Sequence, residues 1–146
     1  MNVPNDQLPS KPRPTESPET AMFWQALREH RVVAQRCTAC GKLRLYPRPM
    51  CDNCYAFAHD WVSLTGEGEI ISWSISHHAF NPAFKRDVPY LTVTVEMDEG
   101  VRLHAPMPGV GTEQIAVGRR VVADFEDVDE SYTRLFFKLA QVPDKT

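Results

Sequence analysis

What this sequence lacks narrows its function early. No apolar run in its 146 residues approaches the ~20 needed to span a bilayer as a helix, so no membrane role is expected. The stretch Met1-Asn2-Val3-Pro4-Asn5-Asp6 has neither a basic nor an apolar leader segment, so a cytoplasmic setting is expected, with thiols kept reduced. No Gly-x-Ser-x-Gly elbow is present to activate a serine. No glycine-rich loop opens a helix to cradle phosphate; Gly66-Glu67-Gly68 lacks the following helix and reads as a bulge. A basic excess is missing too. The formal net charge is -3; residues 1–60 carry eight Lys/Arg against six Asp/Glu, while residues 61–146 carry eight against thirteen. So acidic a second half would repel a phosphate backbone, which weighs against nucleic-acid binding.

What is present falls into three parts. Residues 1–17 contain Pro4, Pro9, Pro12 and Pro14 and no aromatic residue, as expected of a flexible tail or a strap that orders on a partner. Residues 18–60 open with Ser17-Pro18-Glu19, a helix-start pattern. Met22, Phe23, Ala26, Leu27 and His30 then recur at helical spacing, which predicts an amphipathic helix over about 18–30 with Trp24 at the edge of its apolar stripe. Val32–Arg36 and Leu43–Tyr46 are short β-prone runs, stopped by Pro47 and Pro49. Residues 61–142 are β throughout. The alternation predicts strands over Ile70–His78, Leu91–Met97, Val101–Ala105, Val121–Phe125 and Leu135–Leu139, with Ile71, Trp73, Ile75 and His77 sharing one face of the first. Five unevenly spaced strands suit a small closed barrel of OB type better than a sandwich, which usually needs about seven. The fold class is therefore mainly β: a helix, a cysteine ribbon and a five-stranded OB barrel.

The densest chemical signal is Cys37-Thr-Ala-Cys40-Gly41, ten residues, then Cys51-Asp-Asn-Cys54. Each C-x-x-C turns tightly enough to aim two sulfurs at one ion, and two such knuckles supply a tetrahedron of thiolates. Gly41 suits the first turn because it carries no Cβ, whereas Tyr55 stands at the equivalent place in the second. Disulfides would need an oxidising compartment, and a redox C-x-x-C belongs at the start of a helix in a βαβ unit; neither context is present. Iron of rubredoxin type uses the same geometry as zinc, and spacing does not separate them. Structural Zn2+ is the expected cofactor, because four protein thiolates leave no position for water or substrate.

Several stretches together resemble a known family. They are Arg31-Val-Val-Ala-Gln-Arg-Cys37-Thr-Ala-Cys40-Gly41, Tyr46-Pro-Arg-Pro-Met-Cys51-Asp-Asn-Cys54, Trp61–Trp73 with its Gly66-Glu-Gly68, Pro89-Tyr90 and Glu96-Met-Asp-Glu-Gly-Val-Arg102. In order and spacing they are similar to the domain-of-unknown-function family that joins a helical segment, a rubredoxin-like zinc ribbon and an OB-fold. The resemblance implies a non-catalytic partner in acyl-CoA metabolism. Such a chain would form hetero-oligomers with thiolase-fold enzymes, including lipid-transfer-protein-type thiolases and aldolases, or with hydratases, and would help bind acyl-CoA; some members act in steroid degradation.

The residues themselves offer candidate contacts, each with a plainer reading beside it. Arg36, Lys42, Arg44 and Arg48 gather positive charge around the ribbon, suited to coenzyme A phosphates or to an acidic partner, though solvated cations are ordinary there. His77 and His78, near Phe80 and Phe84, offer a base or a carbonyl-polarising pair; the plainer reading, a strand end and a polar face, is preferred. Tyr132, Arg134 and Phe136 alternate opposite Leu135 and Phe137, which suits a recognition surface or a face covered by the N-terminal helix. Asp124–Glu130 reads as a solvated edge. The sequence thus points to an accessory subunit, with a nucleic-acid-binding ribbon and barrel as the alternative and a self-contained enzyme disfavoured.

Overall fold

The computed structural model describes residues 8–141. Among the described residues one α-helix forms, α1 (Ala21–Arg28), and it buries Phe23, Ala26 and Leu27. It starts later than Ser17-Pro18-Glu19 suggests, because the Ser17 carbonyl accepts from the amides of both Thr20 (3.0 Å) and Ala21 (2.9 Å) and closes a turn first. Just past its C-cap Glu29, His30 adopts a left-handed conformation (φ 59°) and leaves the apolar stripe to stack on Phe125, ring centroids 5.1 Å apart. Met22, expected in that stripe, is 43% exposed.

Two antiparallel sheets follow. β1 (Val33–Cys37), β2 (Leu43–Arg44) and β3 (His59–Ser63) form the smaller, in the order β2-β1-β3. β3 crosses the expected boundary between ribbon and barrel: its Asp60 and Trp61 pair with Arg36 and Gln35 of β1. The larger sheet holds β4 (Glu67–Ser76), β5 (Tyr90–Met97), β6 (Arg102–Pro106), β7 (Arg120–Asp129) and β8 (Tyr132–Leu139), in the order β6-β5-β4-β7-β8. These are the five expected strands, curled so that edges β6 and β8 approach one another, but no hydrogen-bonded ladder joins them. The barrel is therefore open along one seam.

Strand alternation is cleanest in β5, where Leu91, Val93, Val95 and Met97 are buried and the intervening residues are not. β4 departs from the expected phase. A register shift between Ile70 and Ser72 makes Ile70 the core residue, while Trp73 and Ile75 remain 40% and 37% exposed. β4 also pairs with β7 only over Glu67–Glu69, so the rest of the strand has β5 alone as its neighbour. One core joins everything: Phe23 and Leu27 of α1, Val33 and Ala34 of β1, and Phe137 of β8 belong to the same buried cluster. Full burial of a side chain such as Phe137 stabilises by roughly 1.5–3 kcal/mol, and α1 supplies two more of that size, Phe23 and Leu27, with the smaller Ala26 beside them.

The glycines of the 66–68 stretch do not make the bulge. Gly66 takes φ 82°, and Gly68 lies where a Cβ would meet the Glu96 carbonyl oxygen at 2.4 Å and Val95 Cγ1 at 2.6 Å. Backbone on one side and a buried side chain on the other leave no room to yield. Gly68→Ala is expected to destabilise the protein by about 2 kcal/mol in denaturant titration, with zinc content unchanged.

Candidate metal centre and interloop cleft

The two cysteine knuckles are built alike. In each, the first cysteine's amide donates to the carbonyl five residues on (Cys37 to Lys42, Cys51 to Ala56, both 2.9 Å). Its own carbonyl accepts from the amide four residues on, Gly41 at 2.9 Å and Tyr55 at 3.0 Å. Those last two residues both have positive φ, 78° for Gly41 and 65° for Tyr55. The glycine adopts this freely, whereas Tyr55 is held there against its steric preference.

All four sulfurs lie within 4.8 Å of one another, with Cys37–Cys54 at 3.5 Å and Cys40–Cys51 at 3.6 Å. Tetrahedral zinc with bonds of about 2.3 Å needs sulfur–sulfur edges of about 3.8 Å, so the donor set fits the ion. The protein's own field prepares it. Amides of Cys54 and then Asn53 point at Cys51 and pull its thiol down to about 6, and those of Cys40 and Ala39 lower Cys37 in the same way. Cys54 also receives an amide, from Ala56, yet the neighbouring sulfurs and burial push it up to about 12. Three sulfurs beside a fourth favour ionisation only with a cation among them. When bound, zinc supplies that charge and ties the two knuckles together; no thiol remains for chemistry.

Below the sulfurs, Gln35 is fully buried on the same face of β1 as Cys37. Its Oε1 accepts from Arg44 Nε (3.0 Å) and from the Arg48 amide (2.8 Å), and its Nε2 faces His59 Nε2 at 3.3 Å. Arg44 is thus inside the ribbon, 4% exposed, with Nη2 on the Arg48 carbonyl and Nη1 lacking a protein partner. The four ribbon cations do not form one patch. Arg44 is buried, Lys42 pairs with Asp52 at 2.8 Å, Arg36 faces Asp60 at 3.9 Å, and Arg48 is exposed.

The other candidates separate into two regions. His77 and His78 are exposed beyond β4, and His78 packs edge-on against Phe80, which is 92% exposed. Phe84, Tyr132, Arg134 and Phe136 instead come together on a cleft of about 1050 Å³ between the 77–89 loop and the 129–132 turn. These are the loops that flank the usual ligand face of an OB barrel. Here α1 walls it: Trp24 packs edge-on against Phe23 (5.1 Å) and tilts against Tyr132 (6.4 Å). Tyr46 closes its ribbon end, its hydroxyl donating to the His104 carbonyl (3.1 Å) and accepting from the His104 amide (3.0 Å) on edge strand β6. Burial pushes the Tyr46 phenol up, which keeps it a donor.

Residues 1–7 of the expected tail lie outside the described residues, and the rest, 8–17, is laid against the barrel as a strap. Lys11 pairs with Asp87 at 2.6 Å and sits over the Phe84 ring. Arg13 pairs with Asp129, donates to Ser131 Oγ (3.2 Å) and covers Tyr132. The Arg13 guanidinium, with Ser131, holds the Asp129 carboxyl far below the usual carboxylate range. Glu16 pairs with Arg28 of α1 at 2.8 Å. Nothing in the sequence alone marks Tyr46 as a site residue, whereas Trp24, at the edge of the helix's apolar stripe, does reach beyond the ribbon to Tyr132. Gln35 had one visible signal, its place in phase with Val33 and Cys37.

Residues 24–60 match the ChsH2 rubredoxin-like zinc ribbon domain and residues 61–126 the ChsH2 C-terminal OB-fold domain. The solved structure titled "Ltp2-ChsH2(DUF35) aldolase" superposes with a TM-score of 0.79 at 36% identity, over 88% of this chain and 100% of that one. This chain belongs to the ChsH2 (DUF35) family. Among curated relatives, a probable enoyl-CoA hydratase alpha subunit of Thermomonospora curvata is 36% identical over 89% of this chain. The 3-oxo-4,17-pregnadiene-20-carboxyl-CoA hydratase alpha subunit of Mycobacterium tuberculosis is 32% identical over 86%. The chain spans 40% of the length of each of these two relatives. Membership fixes the metal as the structural zinc of a rubredoxin-like ribbon.

Two outcomes follow from the centre. One zinc per chain is expected, contributing on the order of 10 kcal/mol of folding free energy, and chelation should release amide-exchange protection over residues 33–63 before it does so over β5 and β6. Protection lost uniformly, or not at all, would show that the metal does not hold the ribbon. Gln35→Leu strands the buried Arg44 guanidinium and should cost about 2–4 kcal/mol, read as a lower midpoint in denaturant.

Proposed function

We propose that this chain is a non-catalytic accessory subunit that docks on a thiolase-fold or hydratase enzyme of acyl-CoA metabolism, lipid or steroid, and supports assembly of the complex or binding of acyl-CoA. The observation that carries the reading is the outer surface of the second knuckle. The closed thiolate site makes the ribbon rigid, and on that rigid base Met50, Tyr55 and Phe57 stand 40%, 68% and 71% exposed. Large aromatic side chains fixed in water are typical anchors of a protein interface. Tyr55 also sits in a left-handed conformation that glycine would adopt at no cost, so its ring is retained at the expense of local strain.

Other features agree. The four thiols are committed to the metal, and no Ser-His-acid or Cys-His pair forms among the described residues, so the chemistry belongs to the partner. The relatives' names place them with hydratases of acyl-CoA and with an aldolase. Against the nucleic-acid alternative stand the acidic second half of the chain and the usual OB ligand face, here walled by α1 and the strap. Arg36, Arg48, His77, His78 and Phe80 remain candidate partner or coenzyme A contacts by exposure, and Lys42 remains one through its exchangeable pair with Asp52.

Co-expression with candidate thiolase-like or hydratase enzymes should yield a stable complex on size exclusion. The double variant Tyr55→Ser/Phe57→Ser should weaken it at least about tenfold without lowering the melting temperature. A protein that stays monomeric with every such enzyme, and alters the activity of none, would not be an accessory subunit.

A further inference from the structure

The cleft between the 77–89 loop and the 129–132 turn carries three independent features. Its volume, about 1050 Å³, is at the upper end of the range of roughly 300–1,000 Å³ usual for small-molecule sites. Its walls are flat and apolar, formed by Phe23, Trp24, Tyr90, Phe125, Tyr132 and Phe136. Charge at its rim is already matched: Lys11 with Asp87, and Arg134 with Glu126 at 3.4 Å. A phosphate or carboxylate would have to displace a carboxylate from these pairs, whereas an apolar carbon skeleton meets aromatic faces that water solvates poorly.

To these the strap is added. Lys11 and Pro12 form part of the cleft wall, and the segment runs from the 77–89 loop, held at Asp87, to the 129–132 turn, held at Asp129 and Ser131. Its anchors are exposed ion pairs: the Lys11 and Asp87 side chains are 33% and 38% exposed, those of Arg13 and Asp129 45% and 44%. Such pairs are individually weak and screened by salt. Pro12 stiffens the segment between the two anchors and Pro14 the residues just after the second, so the strap lifts as a unit rather than fraying.

We propose that this cleft is a binding site for a small, largely apolar hydrocarbon ligand, and that residues 8–15 are its gate, hinged at the Glu16–Arg28 pair and held shut by the Lys11–Asp87 and Arg13–Asp129 pairs. The site belongs to this chain alone, so it stands or falls separately from docking on an enzyme. Opening exposes aromatic wall without unfolding the barrel, because the strap contributes no residue to the common buried core. The apolar contact that a ligand gains is insensitive to salt, while the contact that holds the gate is not; ionic strength therefore acts as the opening variable.

The test uses the full-length, zinc-loaded chain and the neutral dye Nile red, on whose charge salt cannot act. One saturable site per chain is expected. Lys11→Gln/Arg13→Gln, or about 0.5 M NaCl with the unaltered chain, should tighten binding at least about threefold, and amide exchange over residues 8–15 should rise in the variant. Thr92→Trp, which fills the cleft from a half-buried position on β5, should weaken binding at least tenfold, about 1.4 kcal/mol. Should the indole lower the melting temperature, Thr92→Lys places a charge on the same wall and must weaken binding equally. Dye binding unchanged in both Thr92 variants overturns the site. Binding lost in them but indifferent to salt and to Lys11→Gln/Arg13→Gln overturns the gate.

Discussion

Everything in the first half of this molecule depends on four sulfurs being held within a few ångströms of one another. The ribbon sheet is too small to specify itself: β2 has two residues, and the ten-residue spacer between the knuckles runs through Pro47 and Pro49 with little ladder to guide it. A tetrahedral thiolate site removes that freedom by joining the spacer's two ends. Once they are joined, Gln35 meets the spacer from below and takes both Arg44 and the Arg48 amide. Tyr46, carried on the same spacer, then reaches β6. The metal's influence thus reaches the barrel edge through this hydroxyl as well as through the shared core.

That reach matters because the barrel does not close. An OB sheet with unjoined edges exposes backbone donors and acceptors on β6 and an apolar seam beside β8. The chain meets both liabilities with parts from outside the barrel. Tyr46 satisfies the amide and the carbonyl of His104 together, and α1 lays Phe23, Trp24 and Leu27 over the seam. The three parts share one buried cluster for this reason. It also explains the interloop cleft: a helix laid across an open seam covers it without filling it, since the cylinder of α1 and the curved sheet touch along a line.

How much of this the sequence announces varies with the range of the interaction. The cysteine spacing is local and unambiguous, and the alternation of β5 is regular enough to give its buried face residue by residue. The phase of β4 was misleading because a single inserted residue between Ile70 and Ser72 turns one apolar face into an exposed one, and no residue type marks the insertion. β3 reads as the beginning of the barrel, since its residues are β-prone in either sheet; only pairing with β1 assigns it to the ribbon. Arg44 counts as a surface cation by composition, yet its cross-strand partner on β1, the buried Gln35, takes its guanidinium inside the ribbon. The strap was least legible. Its anchors, Asp87 and Asp129, lie about 75 and about 115 residues away along the chain, and no periodicity connects them.

A small protein usually hides its aromatic residues, and this one keeps several exceptions, Trp73 on β4 at 40% exposure among them. Those of the cleft are shielded by a segment held only by exposed charges. Phe80, at 92% exposure, stands alone beyond β4 with His78 against its edge. Those of the second knuckle are fixed on a metal-rigidified turn, and Tyr55 is strained into its place. Strain at an exposed residue stabilises nothing within the chain, and relieving it would require only a change to glycine. A residue held at a cost to the free protein is accounted for when the compensating contact lies in another molecule. Rigid presentation lowers the entropy lost on docking, because the turn is already ordered before the partner arrives. On the proposed docking role, the closed metal site and the exposed ring are two halves of one device: zinc removes the ribbon's freedom and, with it, much of the cost of association.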